Sequence, residues 1–261
     1  QLFTRRLSGR YENGAWGAGT TIGALQAQLA REGRTVSSHP SVLGATLGGW
    51  VFTNSHGNGG ARWTPPLGAV TVYDTHCDRV FTVADRFQLF DDTKTIAAQR
   101  RYLILEVRVR SVENVPCRQH ALVLRSASDC GRFFDRDTYL RAIFVDASEA
   151  LCFTWTRDED ATPVAVDRLC AWLLPPSVFA SKILPHWATR CISKRAWDGR
   201  VTTLRDANRF MGMDPPYYTG LFAYCYTNVE VFVPSARLDA ARLYALCRRV
   251  STLLRRGGRC E

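Results

Sequence analysis

A glycine-rich stretch from Ser38 to Gly60, "SHPSVLGATLGGWVFTNSHGNGG", constrains the fold more than any other part of this sequence. It holds six of the 19 glycines of the 261-residue chain within 23 residues. Glycine loses more conformational freedom on folding than any other residue, so such a cluster destabilises a fold unless the backbone adopts positive φ or lies against something bulky. We therefore expect another group to lie against this backbone.

A strand, a glycine turn and a helix are predicted just before this stretch. The residues "GAWGAGTTIGALQAQLAREGRT" indicate a strand that ends between Gly17 and Gly19, a helix cap at Thr20 or Thr21, and a helix closed by Gly33. The apolar side of this helix should carry three residues: Ile22, Leu25 and Leu29. Within the glycine-rich stretch only "WVFT" is apolar enough for a short strand or a helical turn.

Antiparallel strands are predicted after the glycine-rich stretch. "LGAVTVYD" and "RVFTVADRF" indicate a hairpin joined by "THCD". The segment "RRYLILEVRVRSV" indicates a further strand that ends a first region between Val112 and Pro116. Alternation predicts that four residues of this strand point to one face: Leu103, Leu105, Val107 and Val109.

The second half of the chain combines strands and helices. "HALVLRS" and "DRDTYLRAIFVDASEALCFTWTRDED" indicate three strands, "AVDRLCAWLLPPSVFASKILPHW" has helical spacing, and "LFAYCYTNVEVFVP" indicates a long strand. A last helix should bury Leu238, Ala241, Ala245, Val250 and Leu253. Strands with helices packed on one face predict an α+β fold, which we divide into domains 1–114 and 115–261.

The charge is strongly positive and is carried by arginine. The net charge is +10, and only three of the 34 basic residues are lysines. Arginine suits bidentate contact with phosphate, including an RNA backbone. A solvated surface or a GC-rich genome also accounts for this excess, and we favour that interpretation because net charge bears on non-specific association rather than on fold.

The nine cysteines and the hydropathy pattern bear on the compartment. The cysteine number is odd, and neither a CxxC pair nor metal-ligand spacing occurs. We therefore expect mostly buried thiols in a reducing compartment, mitochondrial or otherwise intracellular. No metal site and no transmembrane segment are expected, since no run of about 18 uncharged apolar residues occurs.

The residues "WGAGTTIGALQAQLAREGRT", "PSVLGATLGGWVFTNSHGNGG" and the strand pair around "VYD" carry a family resemblance. Together they resemble the second half of the flavin-binding domain of the vanillyl-alcohol oxidase superfamily, which has a PCMH-type FAD-binding fold. The resemblance implies that glycine-rich turns bring backbone amides close to FAD. It assigns cofactor contact to Gly44, Thr46, Gly48, Gly49, Ser55, His56, Gly57 and Gly59.

The second region is similar to the cap of the sugar-1,4-lactone oxidases of that superfamily. "YLRAIFVDASEALCFTWTRDED" resembles a strand, turn and strand of that cap, and "NVEVFVP" places Glu230 at the acidic position of the family. The resemblance implies oxidation of an aldonolactone, with hydride passed to flavin and the hydroxyl proton to a protein group. The implied partner is a small sugar lactone, and the implied catalytic residue is Glu230.

Departures from the family pattern leave a second function open. The first half of the flavin domain should precede Ala15, where only fourteen residues stand, and "KTIAAQRRYLILEV" replaces a glycine-rich segment. The alternative is therefore a truncated or degenerate relative that serves as a structural or assembly subunit of a large complex, such as a mitochondrial ribonucleoprotein. Its contacts with RNA phosphate or an acidic protein partner would come from Arg100, Arg101, Arg248, Arg249, Arg255 and Arg256.

Overall fold

The computed structural model describes residues 7–40, 42–53, 55, 67–89, 101–134, 138–145, 150–163, 199, 201–210 and 238–255. The predicted helical segment 165–187 and the predicted strand that contains Glu230 lie outside these residues. The described residues form two compact units, the first ending at Asn114 and the second beginning at Val115. Both units combine helices with antiparallel sheet, which confirms the predicted α+β class.

The first unit is built on a four-stranded antiparallel sheet with strand order β1-β5-β3-β4. Its elements are β1 (Trp16–Gly17), α1 (Ile22–Arg31), β2 (Arg34–Val36), α2 (Leu47–Thr53), β3 (Leu67–Asp74), β4 (Arg79–Val83), β5 (Tyr102–Val109) and β6 (Ser111–Glu113). A small second sheet pairs β2 with β6. Both helices bury apolar residues in one core with the main sheet, and this core includes Leu25, Trp50, Val70 and Val107.

Helix α1 follows its sequence pattern closely. Thr21 is the N-cap, and its side chain accepts a hydrogen bond from Ala24 N at 3.2 Å. The helix ends at Arg31, two residues before Gly33 adopts a positive φ of +66°. The three residues predicted to face inwards are at most 2% exposed: Ile22, Leu25 and Leu29.

A β-bulge in β5 changes which residues face the core. Pairing with β3 steps from Glu106 to Ile104 and leaves Leu105 without a partner on that strand. Side-chain alternation therefore reverses at Leu105. Val107 is fully buried whereas Leu103 is 52% exposed, so the prediction that both point to one face was wrong. Tyr102 and Ile104 pack against the core on the other side of the bulge.

A buried ion pair joins the ends of β3 and β5. Asp74, whose side chain is fully buried, accepts bonds from Arg101 Nε at 3.0 and 3.1 Å and from Arg101 Nη2 at 2.7 Å. Asp74 Oδ1 also accepts from His76 N at 2.9 Å. Hydrogen bonding by the Arg101 guanidinium holds the pKa of Asp74 well below its usual range. Arg101 is therefore committed to the fold rather than available to an external phosphate.

The second unit contains a four-stranded antiparallel sheet with strand order β10-β7-β9-β8. Its elements are β7 (Pro116–Val123), β8 (Thr138–Val145), β9 (Ala150–Arg157), β10 (Val201–Thr203), α3 (Leu204–Phe210) and α4 (Ala240–Arg255). A 3₁₀ helix, Ser128–Phe134, and α4 pack on one sheet face around Cys130 and Cys152. Among the described helices, none has the length and hydropathy needed to cross a membrane.

The buried side of α4 differs from the predicted one. Leu243, Cys247 and Ser251 are at most 6% exposed, whereas Leu253 is 55% exposed and Ala245 is also exposed. The buried residues follow a spacing of four, but they include a cysteine and a serine in addition to leucine. The prediction was wrong because the buried stripe includes Cys247 and Ser251, which a pattern of large apolar residues does not locate.

Five described cysteines carry free thiols, and four of them are buried. Burial raises the pKa of Cys117 and of Cys152 to about 12. Among these five cysteines, we expect iodoacetamide to modify exposed Cys77 in the native protein and to spare Cys117, Cys130, Cys152 and Cys247 until denaturant is added. Peptide mass spectrometry after alkylation would check this, and native labelling of Cys152 as fast as Cys77 would contradict the packing.

The Asp74–Arg101 pair makes stability depend on acid pH. Because the folded-state pKa of Asp74 is lowered, its contribution to stability is present above its ordinary value of about 3.9 and is lost as pH falls through the lower folded value. Asp74→Asn should therefore lower the free energy of unfolding at neutral pH, and this deficit should shrink in acid. Urea denaturation at neutral and acidic pH measures this. A deficit independent of pH would contradict an ionised Asp74 as the cause.

Candidate functional site

Four of the eight predicted cofactor residues lie at or just before the start of α2, where the backbone of Ala18 connects three elements. Ala18 N donates to Leu105 O at 2.9 Å, which is the carbonyl of the bulged residue in β5. Ala18 O accepts from Gly48 N at 2.8 Å. The turn between β1 and α1 is therefore held between the sheet and the first turn of α2. Gly17 permits this path, because a Cβ there would lie 2.2 Å from Leu7 O.

The N-terminal turns of α1 and α2 also bond directly to each other. Thr21 and Thr46 form an isolated antiparallel bridge. Ile22 N donates to Ala45 O at 2.9 Å, and Leu47 N donates to Thr20 O at 2.9 Å. Helix N-termini are common anion sites because their first amides lack partners within the helix. Here other segments of the same chain supply those partners.

Gly48 and Gly49 are explained by packing inside the protein. A Cβ on Gly48 would lie 3.1 Å from Ala18 Cβ and 3.2 Å from Ala18 O, so a larger residue would crowd the turn and push it and the helix apart by a few tenths of an ångström. Gly49 N donates to Thr46 Oγ1 at 3.1 Å. The amides of both glycines thus have internal acceptors, and cofactor contact by these two residues stays a prediction.

Gly44 lies before α2 and is exposed, whereas Ser55 lies after α2 and is half-buried. A Cβ on Gly44 would have no heavy atom within 4 Å, and Gly44 is exposed on the loop that leads to α2. Ser55 follows α2 and shares a hydrogen bond of 2.5 Å with Thr53, whose hydroxyl also donates to Gly49 O at 2.8 Å. Of the described candidate residues, Gly44 has the most open surroundings.

The other predicted site residues lie outside the described residues. They are His56, Gly57 and Gly59, which follow Ser55 in the sequence, and Glu230 in the second half of the chain. In the ranges that the structure describes, no group of three or more His, Cys, Asp or Glu residues could hold a metal ion.

A buried polar position on β7 was missed in the sequence. Gln119 is 1% exposed, and neither its amide nitrogen nor its amide oxygen has a hydrogen-bond partner among described residues. It lies directly opposite Trp155 of β9. Thr202 of β10 pairs with Cys117 and so shares this sheet face, and its hydroxyl is likewise buried and unpartnered in the described part of the chain.

Together, Gln119 and Thr202 can both donate and accept hydrogen bonds, and neither is charged. Buried polar atoms are rarely left without hydrogen-bond partners in native proteins. The sequence contained a signal for this position. Cys117, Gln119 and Ala121 alternate along β7 and are all buried, and Gln119 is the polar residue among them.

Comparison with known proteins shows the fold. No protein-family model matches the chain, and no curated protein matches it. A solvent-stable cholesterol oxidase shares 17% identity with a TM-score of 0.51, over 82% of this chain and 50% of that one. A cholesterol oxidase from Brevibacterium sterolicum gives 13% identity and a TM-score of 0.46, over 74% of this chain and 45% of that one.

The likeness to the solvent-stable cholesterol oxidase, together with the antiparallel sheets and helices of both units, confirms the predicted α+β fold class. The chain spans about half the length of that oxidase. At 17% identity, this likeness shows the fold alone.

The packing of Gly48 on Ala18 can be tested with a matched pair of variants. Gly48→Val should lower the free energy of unfolding by about 1–3 kcal/mol, because the added methyls meet the Ala18 backbone and side chain. Gly44→Val should leave it nearly unchanged, since the position is open. Urea denaturation measures both, and equal effects in the two variants would contradict the assigned role of Gly48.

Proposed function

We propose that this protein is an FAD-dependent oxidoreductase of the PCMH type that acts on CH–OH groups. The observation that carries the proposal is the fold likeness to a cholesterol oxidase over 82% of the chain. The order of glycine turn, helix and glycine-rich loop in the first unit supports it, because this is the order found in the family that the sequence resembles.

FAD contact is proposed for the loop that begins where α2 ends. Gly48 and Gly49 already bond within the protein, so their part is to fix the entry to this loop. Ser55, His56, Gly57 and Gly59 are the proposed contacts, together with Gly44 and Thr46 before the helix. FAD, when bound, supplies the hydride acceptor for alcohol oxidation. Every other contribution must come from residues of this chain.

The proposed substrate is an aldonolactone or a related neutral polyol. The cap resemblance supports the lactone class, and the uncharged donors and acceptors of Gln119 and Thr202 suit hydroxyl groups. Gln119 would orient the substrate through hydrogen bonds. Glu230 is proposed as the group that takes the hydroxyl proton.

Dye reduction by FAD-loaded protein tests this proposal. We expect at least one aldonolactone to support turnover, and Glu230→Gln should lower kcat about 10²- to 10⁴-fold. Gln119→Leu should raise KM about tenfold, because it removes hydrogen bonds to the substrate. The same change at exposed Gln88 should leave KM unaltered. Failure of every lactone and simple alcohol to reduce the dye would contradict the proposal.

A second candidate function is that of a non-catalytic subunit in a larger complex. The amides of Gly48 and Gly49 bond within the protein, and this favours the second candidate. A relative that has lost its cofactor would still keep these glycines because the packing of α2 needs them. Exposed Arg248 and Arg249 on α4 are its candidate contacts with RNA, whereas Arg101 is paired with Asp74. Salt-sensitive RNA binding by a protein that takes up no FAD would select this candidate.

A mitochondrial or other reducing intracellular compartment suits both candidates. The support is chemical, since four described cysteines are buried thiols rather than disulfides.

A further inference from the structure

Strand β4 ends the main sheet of the first unit, and one side of its backbone has no strand partner among the described residues. It pairs with β3 from Arg79 to Val83 without a register shift. A strand at the edge of a sheet presents N–H and C=O groups that can pair with another chain, and proteins often block such edges with a bulge, a proline or a charged residue within the strand. The middle of "RVFTV" has none of these devices. The edge is therefore open to strand pairing.

Apolar surface is exposed at this edge. Val80 is 59% exposed, the largest exposed fraction among the large apolar residues that the structure describes. Val80 lies opposite Tyr73 of β3, and Tyr73 lies opposite Leu103 of β5, so these three residues form one row on the sheet face turned away from the core. Leu103 is 52% exposed. This row stops at β4, where a further strand would continue it.

Side-chain contacts with β3 hold β4 in a fixed position. The hydroxyls of Thr71 and Thr82 share a hydrogen bond of 2.9 Å across the two strands. At the end of the same hairpin, Tyr73 Oη donates to Asp78 Oδ1 at 2.7 Å. A partner strand would therefore pair with an edge that is already ordered, and this lowers the entropy cost of association.

The charges at the two ends of β4 fit an antiparallel copy of the same strand. The guanidinium of Arg79 lies 5.2 Å from the ring centroid of Phe81, on the face that alternation also gives to Val83. Exposed Asp85 follows the strand by two residues. In antiparallel pairing about a two-fold axis at Phe81, Arg79 lies opposite Val83 of the partner copy and diagonal to its Asp85. Parallel pairing would instead place the two Arg79 side chains next to each other.

We propose that the free edge of β4 binds the same edge of a second copy of this chain, so that two four-stranded sheets join into one continuous sheet. In this register Val80 lies opposite Thr82 of the partner copy, and both are β-branched residues that suit cross-strand packing. Each chain contributes a strand of five residues, so the interface is small and the dimer is weak and reversible. The pairing involves no residue proposed to contact FAD, and it is independent of the proposed oxidoreductase chemistry.

Sedimentation velocity of the full chain over about a hundredfold range of micromolar concentration tests the proposal. We expect a reversible shift from monomer to dimer. Val80→Lys should weaken dimerisation about tenfold, because the two-fold axis brings the two added charges together across the interface and both Val80–Thr82 contacts are lost. Leu103→Lys adds the same charge at a similarly exposed position on β5, which β3 separates from the edge, and should leave the dimerisation constant unchanged.

Arg79→Glu gives a second readout in which two explanations predict opposite signs. The change reduces the net charge of +10, which by itself would favour association of a basic protein because self-repulsion falls. The proposed pairing predicts weaker association, since a carboxylate would then lie close to Asp85 of the partner copy. Tighter association of this variant would overturn the proposal.

Hydrogen exchange measured by mass spectrometry locates the interface in the unaltered protein. Exchange in peptides that cover β4 should slow as the protein concentration rises, because outward amides of the strand become hydrogen-bonded, whereas exchange in α1 should not change. A monomer at every concentration, equal losses in Val80→Lys and Leu103→Lys, or a dimer without slower exchange in β4 would each overturn the proposal.

Discussion

The backbone of Ala18 makes the two hydrogen bonds on which the geometry of the first unit depends. Its N–H bonds to the carbonyl of Leu105, and its carbonyl accepts from Gly48 N. The bond to the Leu105 carbonyl continues the antiparallel pairing of β1 with β5, in which Gly17 pairs with Glu106. Helix α2 can then approach only because Gly48 has no side chain to meet Ala18. Sheet, turn and helix are therefore positioned by one short chain of hydrogen bonds.

This arrangement separates two uses of glycine in one stretch. Gly48 and Gly49 serve internal packing, and their amides are bonded before any ligand is present. The residues proposed to contact FAD are then those that follow α2, starting at Ser55, together with Gly44 and Thr46 before the helix. A flavin oxidoreductase and a subunit that has lost its cofactor would share the packing of α2, so the difference between them rests on this loop.

Much of the fold could be predicted because local signals agreed with burial. The cap at Thr21, the apolar stripe of α1 and the β3–β4 hairpin follow directly from residue types and spacing. Predictions failed where burial depends on contacts between residues that are far apart in the sequence. The bulge at Leu105 reverses alternation without a local sequence signal, and the buried side of α4 contains Cys247 and Ser251. The burial of Gln119 was missed because a hydropathy pattern locates apolar residues and gives no signal for a buried polar one.

The most direct measurement is an absorption spectrum of the native purified protein in the near-ultraviolet and visible range, repeated after denaturation and, if needed, after incubation with FAD. The proposed oxidoreductase should show flavin absorption in one of the native samples, with the chromophore released on unfolding unless it is covalently attached. A protein that stays colourless after incubation with FAD would contradict cofactor binding by the loop after α2, and with it the assignment of this chain as a flavoenzyme.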